Sequence, residues 1–353
     1  MVELIWYISI LLGAFYLSGV VCDRFFVPTL DEIADRFQLS PDIVGGVFMA
    51  AGSSAPELFV VLFSLFLPGD TENIGVGMIV GSDMFNTLVI VGLSIMARRS
   101  SFTWQPVVRD FFFYTLALLV MLYVFWDGSV SLIDALLLVG LYIFYLGGMK
   151  IWKRIFPYKT LDYLQAKEDV SKQITFQKSN PIVRLMSYII PDVIAYPNLY
   201  WASFLMSLVA IAGLSYVLVE AVVGIAELAD INPTLIALSV ASIGSSIPDT
   251  ISSVIVSRQG KSDMIISNAI GSNTFDITLA MGLPWLLYFL LNPGATINVD
   301  AENLVASVIL LFASVVAILG ILVVRKWTVG FKTGLVLLSL YGMYIVYIIY
   351  NVV

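Results

Sequence analysis

The chain contains no histidine and a single cysteine, Cys22. The first absence excludes imidazole metal sites and histidine-based catalysis. The second excludes an intrachain disulfide and any thiolate cluster, and leaves the redox compartment undecided. Cys22 lies in an apolar stretch and reads as a small packing residue. Charge is also scarce: 12% of the 353 residues are Asp, Glu, Lys or Arg, against about 25% in a soluble domain. Apolar and aromatic residues make up 59%, and apolar runs of about 18 residues or more recur along the whole length, which defines a polytopic membrane protein. The net charge of −7 argues against nucleic acid as a partner.

A window of about 19 residues gives ten spans, near Leu4–Cys22, Pro41–Leu67, Asn73–Ala97, Pro106–Trp126, Val130–Met149, Asn198–Val223, Pro233–Val256, Met264–Leu291, Ala301–Val323 and Val329–Tyr350. The first is too long and too aromatic for a signal-peptide core and has no basic flank, so it is kept as a helix. The runs are continuously apolar without period-2 alternation, which predicts helices rather than a barrel. All 18 Lys and Arg fall in the odd-numbered loops or, as Arg109 and Lys332 do, in the first turn of the span that follows one. By the positive-inside rule those loops are cytoplasmic and both termini lie outside. The longest loop, 150–197, divides the spans five and five and reads as a solvated cytoplasmic linker between residues 1–149 and 198–353.

The two halves repeat one pattern. Gly52-Ser53-Ser54-Ala55-Pro56-Glu57 in span 2 matches Gly244-Ser245-Ser246-Ile247-Pro248-Asp249 in span 7. Gly81-Ser82-Asp83-Met84-Phe85-Asn86 in span 3 matches Gly271-Ser272-Asn273-Thr274-Phe275-Asp276 in span 8. Asp249 follows Glu57 by 192 residues, and Asp276 follows Asn86 by 190. Five spans per half is an odd number, so the second half enters the membrane from the opposite face. The expected fold is all-α, with ten transmembrane helices as two inverted five-helix repeats.

Proline lacks an N–H and its ring clashes with the carbonyl four residues back. Pro56 and Pro248 therefore predict breaks at Gly52 and Gly244, exposing carbonyls that hydrocarbon does not tolerate unless they line a cavity. Glu57, Asp249 and Asp276 lie well inside spans, where an ionised carboxylate costs at least ~2.5–3.5 kcal/mol. No Lys or Arg is deep enough in any span to pair with them, so the neutralising charge is expected from metal ions or protons. Ser53 and Glu57, Ser82 and Asn86, Ser245 and Asp249, and Ser272 and Asp276 are each four apart and share a helix face. An all-oxygen set of 6–8 ligands suits Ca²⁺, and the lack of N and S ligands argues against zinc or copper. Small residues, among them Gly45, Gly46, Ala50, Ala51, Ala237 and Ala241, permit close helix approach. Asp110, Asp134, Glu220, Glu227, Asp300 and Glu302 lie near span ends and are expected to be solvated. Asp83 sits about 300° from Asn86 around the helix, either lining the pathway or facing a neighbour.

These motifs resemble those of the cation/calcium exchanger superfamily, and most of all the potassium-dependent sodium/calcium exchangers. Both Gly-Ser-Ser-x-Pro-acid motifs and both Gly-Ser-x-x-Phe-Asn/Asp motifs are present, within 45–92 and 237–287. Glu57 paired with Asp249, and the run from Ser272 to Thr278 leading to Leu283-Pro284-Trp285, favour the potassium-dependent branch. The resemblance implies a secondary active antiporter, not an enzyme, exchanging Ca²⁺ for Na⁺ by alternating access, with spans 1 and 6 sliding. It has no cofactor and no obligatory protein partner, and resides in the plasma membrane. Glu57, Asp249, Asn86 and Asp276 would form the central cation cluster. Ser53, Ser54, Ser82, Ser245, Ser246 and Ser272 would serve flanking Na⁺ sites, with the carbonyls of Ala50 and Ser242. Asp276 matches an acid implicated in K⁺, but exchangers without K⁺ coupling also carry an acid there, so K⁺ co-transport stays open. Ser53 and Ser245 stand where many relatives have Thr, and Asp83 where they have a small or uncharged residue. The linker is too short for the calcium-sensing domains of larger animal exchangers.

One alternative keeps the fold but uses protons: a Ca²⁺/H⁺ antiporter, whose usual Gly-Asn-x-x-Glu repeats are absent. An intramembrane aspartyl protease using Asp249 and Asp276 lacks its Tyr-Asp and Gly-x-Gly-Asp signatures and leaves Glu57 and Asn86 without a role. A channel or structural protein does not require charge-matched repeats.

Overall fold

The computed structural model describes residues 2–37, 53–67, 71–157, 181–258, 262–299 and 301–352. Its segments are helical because backbone polar groups in an apolar medium must be satisfied within the segment. Among the described residues, eight helices are long and apolar enough to cross a membrane, and two shorter apolar ones, Ala55–Ser64 and Pro233–Ile247, lie where spans 2 and 7 were expected.

In the first half, α1 (Val2–Val21) passes through a π-helical turn at Cys22–Phe26 into α2 (Val27–Arg36). The expected end at Cys22 is therefore corrected: the helix runs on and carries Arg24 inside it. Arg24 is tolerated there because its guanidinium pairs with Asp192. Helix α3 spans Ala55–Ser64. Helix α4 (Glu72–Phe85) continues through a π-turn at Asn86–Ile90 into α5 (Val91–Ala97). Helices α6 (Trp104–Val124) and α7 (Leu132–Ile155) complete this half. A capping box opens α7: Asp134 accepts from the Ser131 N–H at 2.9 Å.

Residues 158–180 of the linker lie outside the described residues; α7 runs on into its start, and its far end forms a short helix, α8 (Pro181–Met186). The second half then runs α9 (Tyr200–Ala229), α10 (Pro233–Ile236), a π-turn at Ala237–Ala241, and α11 (Ser242–Arg258). Next come α12 (Ser262–Phe275), a π-turn at Asp276–Ala280, α13 (Met281–Leu291), α14 (Ala301–Val324) and α15 (Phe331–Val352). Pro284 leaves the carbonyl of Ala280 without its usual donor, and Ala280 closes the π-turn, where the helical register is already shifted.

Two short antiparallel pairs tie connections together. Strand β1 (Ser100–Ser101) pairs with β4 (Thr328–Val329), and β2 (Ser129–Val130) pairs with β3 (Ile297–Asn298). The continuous hydropathy of the spans gave no sign of them.

Helices α1 and α9 pack along one another, and α9 also packs on α3. The middle of segment Glu72–Ala97, from Ile74 to Gly92, is buried, at the centre of a large apolar cluster that includes Val76, Ile79, Met84, Phe111, Trp285 and Leu311. Glycine makes this possible. A Cβ on Gly81 would lie 2.3 Å from the Leu238 carbonyl oxygen, and one on Gly75 would lie 2.5 Å from the Val61 Cα. Helix α4 thus crosses the Ala237–Ala241 turn at a distance only glycine permits.

Candidate cation site

Four segments bring the repeated motifs together. Helix α3 packs on the Asp276–Ala280 turn, while α11 and α12 pack on the Asn86–Ile90 turn. In the first half the chain breaks where expected: Ser54 leaves helical geometry (φ −94°, ψ 9°) and α3 begins at Ala55. Pro56 then sits in the first turn, where its missing N–H costs nothing. Glu57 occupies the same turn, where the helix dipole favours an acid. Gly52 and Ala50, with the other small residues of 45–52, lie outside the described residues. The break expected in the second half is corrected. Helix α11 runs unbroken from Ser242 through position 248 to Arg258. A proline forfeits one intrahelical bond, and a well-packed helix can carry that loss. The irregularity appears instead as the π-turn before Ser242.

Glu57 (4% exposed), Asn86 (3%) and Asp276 (1%) are buried, while Asp249 and Ser245 are partly exposed. The Ser245 hydroxyl faces Glu57, and Ser54 faces Asp276. Asp276 lies within electrostatic range of Glu57, Asp83 and Asp249. Glu57 Oε2, Asp276 Oδ1, Asn86 Oδ1 and Asp83 Oδ1 are buried with no hydrogen-bond partner. Each is an acceptor, so the site carries excess negative potential. Among the described residues, no three carboxylates or thiolates close into a single chelate.

The serines behave individually. Ser82 Oγ donates to the Ile79 carbonyl at 3.0 Å, and Ser272 Oγ to that of Asn268 at 2.9 Å. Ser245 Oγ donates to the Ser242 carbonyl at 3.1 Å. Ser242 is itself buried, and Ser246 offers its carbonyl to Thr250 at 2.9 Å. Ser53 is half-buried.

Asp83 faces a neighbour: Tyr114 donates to its Oδ2 at 3.1 Å. Asn273 Nδ2 reaches the Asp83 carbonyl (3.0 Å), Thr87 Oγ1 (2.9 Å) and the Tyr114 hydroxyl (3.1 Å), and Asn86 Nδ2 donates to Asn273 Oδ1 (3.0 Å). Tyr114 and Asn273 were not singled out because neither side chain carries a charge, and only the helix crossing shows which groups satisfy them. Asp23, in the first π-turn, was also missed; it stands in electrostatic range of Asp249. Its signal was an acid inside a helix next to an arginine that pairs elsewhere.

The buried arginines are committed away from the site. Arg24 pairs with Asp192, and Arg109 pairs with Asp110 at 2.7 Å. Asp110, expected to be solvated, is corrected: it is 2% exposed, and Ser267 donates to its other oxygen at 2.7 Å. Asp134 has its capping role, and Glu220 and Glu227 are exposed.

An apolar helical bundle enclosing a seam of acids, amides and hydroxyls, with its arginines paired elsewhere, is the architecture of a membrane protein that handles cations. The family model for sodium/calcium exchanger protein matches residues 7–149 and 199–350, and the chain belongs to that family of ion exchangers. It is similar to the human sodium/potassium/calcium exchanger 5, 29% identical over 99% of this chain and 84% of the relative. It is also similar to the human sodium/potassium/calcium exchanger 4, 27% identical over 95% and 80%. Among solved structures, the H⁺/Ca²⁺ exchanger CAX superposes with a TM-score of 0.67 at 15% identity, covering 99% of this chain and 86% of that one. The sodium-calcium exchanger NCX_Mj superposes at 0.56 and 19%, covering 97% and 99%. At those identities the likeness concerns the fold.

Proposed function

We propose that this protein is a secondary active antiporter that exchanges Ca²⁺ for Na⁺, with K⁺ as a co-transported ion, by alternating access. The observation that carries this reading is the set of unpartnered buried oxygens on Glu57, Asn86 and Asp276. A buried acid without a cationic partner is costly, so the site is stable when cations fill it. Glu57 and Asp249 are the principal Ca²⁺ ligands, with Asn86 and Asp276 beside them. Ser53, Ser54, Ser82, Ser245, Ser246 and Ser272, with the carbonyls of Ala50 and Ser242, serve the Na⁺ positions. The names of the curated relatives support coupling to Na⁺ and K⁺.

The charge count gives exchange its physical basis. An empty site holds several negative charges, and exposing it to the other face moves that charge through a low-dielectric region. Either Ca²⁺ with a monovalent cation or several Na⁺ cancels the charge, so loaded forms cross and empty ones do not. The mobile unit is α1 with α9; their mutual packing supports it.

The same reading has ten spans in two inverted repeats, residues 1–149 and 198–353, joined by a cytoplasmic linker, with both termini outside the plasma membrane. Two observations favour it. The π-turns at Asn86–Ile90 and Asp276–Ala280 are 190 residues apart, in register with the motifs. Each β-pair also joins connections of like parity: the third with the ninth, and the fourth with the eighth. Like parity means the same membrane face only if the count between them is right.

The test is Ca²⁺ flux in proteoliposomes under imposed Na⁺, K⁺ and pH gradients in turn. A Na⁺ gradient should drive Ca²⁺ accumulation, and added K⁺ should change its rate. Accumulation driven by a pH gradient in the absence of Na⁺ would replace this reading with Ca²⁺/H⁺ exchange.

A further inference from the structure

We propose that Tyr142 and Tyr341 are positioning residues for the cation site: each holds the phenylalanine that precedes a π-turn, and so aims the side chain that opens the turn, Asp276 or Asn86. The proposal rests on the exchange reading for the role of those two ligands. It adds residues that touch no ion.

The argument starts from a repeat that lies outside the motifs. Helices α7 and α15 end the two halves, and each carries Tyr-x-x-Tyr. Tyr341 follows Tyr142, and Tyr344 follows Tyr145, by 199 residues. The two rings of each pair stand alike, with centroids 6.0 Å apart and planes at 45° in one and 44° in the other. Tyr142 meets Phe275 edge to face at 5.6 Å and 84°, and Tyr341 meets Phe85 at 5.4 Å and 85°. Phe85 and Phe275 are mates in the 190-residue register of the motifs. The bracing is therefore crossed: the last helix of each half grips the motif of the other half.

Each of these helices also grips the far side of the turn. Gly92 and Gly282 are mates too, seven residues beyond Phe85 and Phe275. A Cβ on Gly282 would lie 3.0 Å from Leu138 Cβ of α7, and one on Gly92 would lie 3.2 Å from the Gly334 carbonyl oxygen of α15. Between those points α7 packs on the Asp276–Ala280 turn, and α15 on the Asn86–Ile90 turn. One helix thus holds each turn at both ends.

The effect on the ligands follows from π-helical geometry. A π-turn bonds i to i+5 and is wider than the α-helix on either side of it. Opening the turn one residue earlier or later would swing the side chains within it by about 100° around the axis. In both halves the phenylalanine keeps α geometry (φ −64°, ψ −48° at Phe85; φ −63°, ψ −45° at Phe275), and the widening begins at the next residue. A clamped phenylalanine cannot rotate without losing its aromatic contact. It therefore fixes where the turn opens, and with that the direction of Asn86 or Asp276. The ring does this rather than the hydroxyl: Tyr142 and Tyr341 are buried, and their hydroxyls have no hydrogen-bond partner.

The experiment measures ⁴⁵Ca²⁺ binding to the purified full-length protein in detergent, with affinity and number of sites read separately, and Ca²⁺ flux in proteoliposomes in parallel. Tyr142→Leu and Tyr341→Leu should each weaken affinity by ~10-fold, the upper end of what an edge-to-face aromatic pair is worth. The number of sites per folded chain and the maximal flux should stay as in the wild type. Tyr142→Phe and Tyr341→Phe should restore wild-type affinity, since the lost hydroxyl made no bond. Unchanged affinity in a leucine variant overturns the proposal for that residue and leaves the exchange reading intact. A loss of sites at unchanged affinity does the same, because it marks packing alone. Phenylalanine variants as weak as the leucine ones overturn the role of the ring. A wild type that binds no Ca²⁺ overturns both readings. Should the leucine variants misfold, hydrogen exchange of the wild type decides the matter. Amides of 86–90 and 276–280 should exchange as slowly as those of 80–85 and 270–275, and faster exchange in the turns shows that they are not held and refutes the clamp.

Discussion

Gly81 faces the Leu238 carbonyl oxygen so closely that an added Cβ would lie 2.3 Å from it and 2.6 Å from Ser242 Oγ. The contact fixes α4 against the turn that precedes the second Ser-Ser-x-Pro-acid motif. Gly81→Ala should therefore shift backbone, not merely a flexible side chain, and cost about 1–3 kcal/mol. Thermal unfolding in detergent should show the midpoint falling by several degrees, with Ca²⁺ flux reduced. An unchanged midpoint would mean the crossing is looser than described.

Asp249 is the partly exposed acid of the site, and the proposed exchange makes it a Ca²⁺ ligand. Asp249→Asn keeps the volume and removes the charge. Ca²⁺ flux in proteoliposomes should drop to background while the protein still inserts and purifies normally. Retained exchange would remove Asp249 from the ligand set.

Asp276 is placed between Ser54 and the field of Glu57, Asp83 and Asp249. Asp276→Asn should make Ca²⁺ flux insensitive to external K⁺. The measurement is initial rate against K⁺ concentration, and a response equal to the wild type's would exclude Asp276 from K⁺ binding.

Arg24 (2% exposed) and Asp192 (15%) join the first helix to the end of the linker. Removing one partner of a buried pair costs about 3–5 kcal/mol, because the remaining charge stays buried, while replacing both can be nearly neutral. The partial exposure of Asp192 places the expectation at the lower end of that range. Asp192→Asn and Arg24→Met should each lower the unfolding midpoint, and the double variant should recover much of the loss. Additive losses would show that the pair is not coupled.

Cys22 is 4% exposed, packed with Val20, Val21 and Phe25 in a cluster that includes Ile190 and Ile211. A membrane-impermeant maleimide should label it at least ~10-fold more slowly in the folded protein than after denaturation, as burial limits thiol access. Equal rates would place the thiol on an open pathway.

Much of this architecture was legible because hydropathy and proline chemistry act locally. The span expected at Asn73–Ala97 is Glu72–Ala97, and that at Ala301–Val323 is Ala301–Val324. The break before Pro56 was visible for the same reason. Hydropathy cannot separate apolar surface facing lipid from apolar surface facing protein, so nothing marked Ile74–Gly92 as enclosed by protein. The helix through Cys22–Phe26 was cut short because Asp23 and Arg24 read as a loop, whereas Arg24 has a partner far away in sequence. Asp110 was misjudged the same way: Ser267, across the bundle, satisfies it. The π-turns carry no compositional signature beyond a following proline at Pro28 and Pro284, and Pro248 kept its helix. The acids were legible as candidate ion ligands because an unpaired carboxylate in a span is expensive wherever it points. The Tyr114–Asn273 network was not, since its members acquire meaning only at the helix crossing.

The two ladders, Ser100–Ser101 with Thr328–Val329 and Ser129–Val130 with Ile297–Asn298, both join connections from spans 3–5 to connections from spans 8–10. They act as rivets through opposite ends of one frame, made of main chain and so indifferent to most side-chain substitutions. Neither rivet holds α1 or α9. Under the proposed alternating-access cycle, this pattern of fastening makes the two-ladder frame the anvil against which the α1–α9 pair would swing.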